Sequence, residues 1–120
     1  MRKGSVIFLI LITFCLFYSC EYRDIEHEKP VVTEELSFSK DIEPIFKIQS
    51  CTNCHKETLQ PDLTAGKAYN SLITNYIDTL NPSGSLIYSI PETGGNHPAK
   101  YTILQSAQIL TWIDQGAKNN

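Results

Sequence analysis

The chain has 120 residues, 10 of them basic and 13 acidic, for a net charge of −3 with histidine neutral. That length suits one small domain with short additions, and no basic patch is present, which excludes nucleic-acid binding as the main business of the chain. Hydrophobic residues make up 42%, ordinary for a soluble protein, but the first twenty residues hold a disproportionate share of them.

Those residues read MRKGSVIFLILITFCLFYSC. Arg2 and Lys3 give a positive start, an apolar run follows from Val6 to Tyr18, and Ser19 is small. This is the anatomy of an export signal. The run is short for a helix that must cross roughly 30 Å of hydrocarbon at about 1.5 Å per residue, which weighs against the alternative of a transmembrane anchor. The segment LFYSC resembles the lipobox of bacterial lipoproteins, with Phe17 where Leu is usual and a bulky Tyr18. The resemblance implies a signal peptide over 1–19 and lipidation at Cys20, which would become the new N-terminus. More than one acyl chain there would hold the protein stably to a membrane. Losing Arg2 and Lys3 leaves 8 basic against 13 acidic residues, a net of −5.

Residues 20–37 follow as a lipidated N-terminus and a flexible tether. Glu21 to Ser37 carries six acids, two bases and a proline with no sustained apolar period, the composition of a solvated linker. His27 within it reads as solvated. The folded unit is expected over 38–120, as an all-α domain of three to four helices. SKDIEPIFKIQS is the first helix, with Ser39 as a plausible N-cap. Pro44 belongs in a first turn, so this helix is expected to start at Ile42 or Glu43. GKAYNSLIT is a short second helix, and SGSLIYSI a short third turn. QSAQILTWIDQGAKNN is the last, with Ser106 as a possible cap and Gly116 as its stop. Leu104, Ala107, Leu110 and Ile113 or Asp114 trace its apolar stripe, with Trp112 offset from it. Two loops, HKETLQPDLTA and PETGGNHPAKYT, are rich in Pro, Gly, Asn and Thr. A chain this small buries a limited core, and a cofactor would help to hold such loops.

SCTNCHKE, residues 50–57, carries the chemistry. Three readings compete. Structural zinc wants four ligands, commonly two paired groups; Cys51, Cys54, His55 and His97 would have to serve, and the second pair is missing. A thiol oxidoreductase wants its Cys pair between a strand and a helix, and no strand is evident. The third reading is C-x-x-C-H, the attachment signal for c-type haem. In a helical turn residues three apart share a side, so Cys51 and Cys54 reach two vinyl groups, and His55 is carried beneath the iron as proximal ligand. Export agrees with haem attachment outside the cytoplasm.

FSKDIEPIFKIQSCTNCHK, LQPDLTAGKAYNSLI, SGSLIYSI…GGNHP and QSAQILTWIDQGAKNN together resemble bacterial monohaem cytochrome c domains of class I. The resemblance includes the short forms fused to planctomycete-type enzymes or carried alone on lipoproteins. It covers nearly all of 38–120. It implies N- and C-terminal helices crossing over one covalently attached haem c, with a sixth ligand from a late loop. Pro61 and Leu63 resemble loop residues lining the proximal side. The family's usual sixth ligand is methionine, and the only methionine here is Met1. His97, followed by Pro98, stands at the matching place, so bis-histidine ligation by His55 and His97 is expected, with Lys100 or water as alternatives. Trp112, Tyr69, Tyr88 and Tyr101 read as core or haem-edge packing.

The expected protein is therefore a c-type cytochrome, an electron carrier and not an enzyme. It would be lipid-anchored in a bacterial cell envelope, facing the periplasm or the outer surface, and exchange electrons with redox partner proteins. The alternative is an open-site haem enzyme, with peroxidase-like activity, or a gas or redox sensor, should His97 not ligate. A zinc-binding module is the remaining one.

Overall fold

The computed structural model describes residues 30–92 and 96–120. The proposed signal, Cys20 and His27 lie outside the described residues. The fold is all-α: four α-helices and no strand among the described residues. None of these helices is long and apolar enough to cross a membrane.

A π-helical turn, Phe38–Ile42, leads straight into α1, Glu43–Ile48. Pro44 sits in the first turn of α1 as expected, where its missing N–H costs no helical hydrogen bond. The wider turn before it is capped by Ser37, not Ser39: the Ser37 hydroxyl accepts from the Lys40 N–H. The Asp41 carboxylate returns the favour by accepting from the Ser37 N–H at 2.8 Å. Three more helices follow: α2, Ala68–Ile73; α3, Leu86–Glu92; and α4, Ile103–Asp114. The segment read from sequence as a short third turn is thus a 3-10 turn, Pro82–Gly84, followed by a genuine helix.

α4 begins earlier than its sequence suggested. Thr102 accepts from the Gln105 N–H, and the Gln105 side chain accepts from the Thr102 N–H at 2.9 Å. This capping box satisfies two otherwise orphan donors. Ser106 is therefore not the cap but a buried position inside the helix. Gly116 does end it. Its φ is +96°, its N–H donates to the Ile113 carbonyl, and the Ala117 N–H donates to that of Trp112. That pair of bonds is a Schellman closure.

The buried face of α4 keeps Ala107 and Ile113 of the expected stripe but not Leu104. Leu104 is 52% exposed, whereas Trp112, the residue judged offset, is fully buried. Ile109 and Ile113 flank it in the core. The first turn lies toward solvent, with Ile103 and Leu104 about half exposed, and the large indole finds two aromatic partners. Its ring lies 5.2 Å from Phe38 and 6.5 Å from Tyr69, centroid to centroid, and Phe38 and Tyr69 meet edge to face at 5.3 Å. The polar tips are satisfied: Trp112 Nε1 donates to the Lys118 carbonyl and the Tyr69 hydroxyl to that of Ala117, both at 3.0 Å.

The first helical segment and α4 run in opposite senses. Phe38 meets Trp112 at one end, and Gln49 Nε2 donates to Gln105 Oε1 at 2.6 Å at the other. Residues 34–37 are pinned at the first of these ends. The Leu36 N–H donates to Gln115 Oε1, Gln115 Nε2 donates to the Glu34 carbonyl, and Lys118 pairs with Glu35. Leu36 is buried there, so the chain is fixed to the domain a few residues before the expected boundary at 38.

Trp112→Ala is expected to cost about 3–5 kcal/mol of stability, and Leu104→Ala within about 0.5 kcal/mol of nothing, as read by urea denaturation of the two variants side by side.

Candidate cofactor site

The site begins where α1 ends. Ser50 has φ +58°, the left-handed conformation that glycine adopts most easily. Its N–H donates to the Lys47 carbonyl, which closes the helix and turns the chain. Cys51–Asn53 then form a 3-10 turn, with the Cys54 and His55 N–H groups both donating to the Cys51 carbonyl, at 3.2 and 2.9 Å. The two cysteines and the histidine are thus wound into one compact turn at the foot of α1. The next loop is held against it by the Leu63 N–H, which donates to the His55 carbonyl at 3.0 Å.

Both thiols are free; Cys51 is buried and Cys54 exposed. Burial pushes the Cys51 thiol up from its ordinary value. A thiol redox enzyme wants the opposite, a thiolate stabilised by positive surroundings, and a strand before the pair, which the described residues lack.

His97 comes back across the fold to face His55. The two rings lie 6.0 Å apart, centroid to centroid, with 28° between their planes. A metal ion held by one nitrogen of each of two imidazoles, at about 2.0 Å, requires the ring centroids to lie no more than roughly 6 Å apart, a separation this pair meets. His97 Nδ1 lies 2.8 Å from the Ala99 carbonyl. A carbonyl only accepts, so Nδ1 carries the proton of this bond; in the neutral ring Nε2 then has the lone pair that a metal-ligating imidazole needs. His55 lacks that support: its Nδ1 is buried with no partner among the described residues.

Two cavities flank this pair. One, of about 160 Å³, is walled by Cys51, His55, Leu63, Ile87, His97 and Tyr101. The other, of about 660 Å³, is bordered by Cys51, Cys54, His55, Leu59, His97 and Lys100. The walls are largely apolar, and Leu86, Ile90 and Leu59 around them are 44–50% exposed. Apolar side chains gathered around one concavity, unlike ones scattered singly, mark a ligand-binding groove. A flat, apolar group seated between the imidazoles would cover them. Two thiols, two facing imidazoles and an apolar slot suit a covalently held haem. They do not suit a bare ion: no group of three or more His, Cys, Asp or Glu side chains among the described residues is arranged to hold one.

All four site residues read from sequence, Cys51, Cys54, His55 and His97, are therefore gathered in one place. Pro61 and Leu63 line the smaller cavity. Of the four aromatics singled out from sequence, Tyr101 does so; Trp112 and Tyr69 belong to the core and Tyr88 bonds Glu92. Sequence reasoning missed the opposite wall, Tyr76 with Leu86, Ile87, Ile90 and Pro91 of α3. A helical spacing in LIYSIP was the available signal, obscured by Pro91. Comparison of the chain with known protein families, with curated proteins and with solved structures finds no match.

The loop carrying Pro61 and Leu63 is braced by Asp62. Its carboxylate accepts from the Thr64 hydroxyl and from the Thr64 N–H, and lies 3.7 Å from the Lys67 ammonium. These hold it below the ordinary carboxylate range, the Thr64 hydroxyl contributing most. The folded protein thus binds the Asp62 proton less readily than the unfolded chain does. The stabilisation is complete above about pH 4–5, near and beyond the unfolded value of about 3.9, and is lost as pH falls through the lower folded value. In Asp62→Asn that increment of acid sensitivity should disappear, seen as a shallower fall of melting temperature between pH 5 and pH 3, alongside a lower plateau at neutral pH.

Proposed function

We propose that this protein is a monohaem c-type cytochrome that passes single electrons, tethered by a lipid to the bacterial cell envelope outside the cytoplasm. The observation that carries the reading is the facing of His55 and His97 across an apolar slot whose rim bears both thiols of Cys-x-x-Cys-His. Cys51 and Cys54 would hold the group as thioethers, and His55 and His97 would be the protein ligands of its iron. The haem would supply a one-electron couple at iron.

The chain's own residues set how that couple behaves. His97, anchored on the Ala99 carbonyl, would be the second protein ligand of the iron, which would leave no substrate or gas ready access to it. That is the property of a carrier and not of an oxygenase or peroxidase. Leu63, Ile87 and Tyr101 are buried against the slot and keep water from one side of it. The wider cavity, bordered by Cys54 and Leu59, leaves an edge open to a redox partner protein. A second imidazole stabilises ferrous iron less than a thioether, so the potential should lie below that of a His/Met relative of similar burial.

Protein made with the haem-attachment machinery should be coloured, stain for haem after denaturing electrophoresis and show a low-spin bis-imidazole paramagnetic resonance spectrum. Colourless native protein whose mass shows bare thiols or a simple disulfide would overturn the proposal. His97→Met should raise the midpoint potential in a redox titration, and His97→Ala should convert a carbon-monoxide-inert ferrous protein into one that binds the gas rapidly and completely.

A further inference from the structure

α3 contains a proline in its last turn, Pro91. Having no N–H, Pro91 cannot donate to the carbonyl of Ile87, four residues back. That carbonyl is buried, and an orphan there is costly. The Tyr101 hydroxyl donates to it at 3.0 Å in place of the missing helical bond. Tyr101 is itself buried, and burial raises its phenol far above the ordinary value, so it remains a donor at any ordinary pH.

Tyr101 lies four residues after His97, and the short stretch between them carries the other fixed point, the His97 Nδ1 bond to the Ala99 carbonyl across Pro98. We infer that Tyr101 is the positioning residue of the distal ligand: its bond to the carbonyl left free by Pro91 mounts the 97–101 segment on α3 and holds the His97 imidazole opposite His55. The inference rests on the haem reading proposed above, and adds what keeps the distal ligand in place. The two imidazoles are held by different means. His55 is carried rigidly by the turn that bears the two cysteines. The mount of His97 includes, among the described residues, one hydrogen bond to its own segment and one to α3. Loosening that mount frees the distal position first and leaves attachment through Cys51, Cys54 and His55 unaffected.

The test uses the full-length haem-loaded protein. Tyr101→Phe removes one oxygen and keeps the buried ring. Its ferrous form should bind carbon monoxide at least about tenfold faster than wild type, the scale expected when one buried hydrogen bond is lost from a ligand's mount. Haem content should stay unchanged. Ile109→Val, a fully buried core position on α4 that lines neither cavity, serves as the structural control: it should lower the melting temperature without changing the rate. A wild-type rate in haem-bearing Tyr101→Phe, or an equal rise in Ile109→Val, overturns the assignment. Should Tyr101→Phe fail to accumulate with haem, Pro98→Gly decides. Pro98 is exposed and sits between His97 and its acceptor. A faster rate there supports the mount and an unchanged one refutes it. Haem-free wild-type protein, by contrast, sinks the haem reading itself.

Discussion

The antiparallel pairing of the first helical segment with α4 is the constraint on which the site depends. It is fastened at both ends by different chemistry. Phe38 and Trp112 bury two large rings at one end, and Gln49 and Gln105 exchange a short hydrogen bond at the other. With both ends fixed, α1 cannot lengthen, shift or roll without cost. Its last residue is therefore placed, and the left-handed Ser50 then delivers Cys51 into the adjoining turn. The position of the two thiols is thus a consequence of core packing some distance away. The same logic covers the second wall, because α4 begins at the Thr102–Gln105 capping box directly after Tyr101.

The site itself is asymmetric. His55 belongs to a tightly wound turn joined to the core helix, whereas His97 arrives on an irregular segment. The hydrogen bonding is reversed: the histidine on the loop has a backbone acceptor for Nδ1, and the one on the rigid turn has none among the described residues. Where the backbone supplies rigidity the side chain goes without support; where the backbone is irregular the side chain is tied. Either device restricts an imidazole, and each suits the chain that carries it.

Much of this was legible in the sequence because it was local. Cys-x-x-Cys-His carries its geometry in its spacing, Pro44 marks the first turn of α1, and Gly116 marks the end of α4. His97 could be paired with His55 only through the resemblance to a family with a late-loop ligand. What escaped was decided by tertiary partners. Trp112 reads as off the stripe until Phe38 and Tyr69 are placed beside it. Ser106 reads as a cap because Thr102 precedes a residue, Gln105, whose reciprocal bond is invisible to a search for apolar periodicity. Pro91 looks like a helix breaker until Tyr101, ten residues on, is seen to occupy the carbonyl it abandons. In each case the local signal was real, and a contact from elsewhere in the chain outweighed it.

The clasp of residues 34–37 onto Gln115, Lys118 and Asn120 has a geometric outcome. It lies at the Phe38 end of the first helical segment, while the thiols lie beyond Gln49. Eleven residues of helix separate these points by roughly 16 Å at about 1.5 Å per residue. The clasp and the slot therefore sit at opposite ends of the first helical segment, so the point where residues 34–37 enter the domain leaves the mouth of the slot unobstructed.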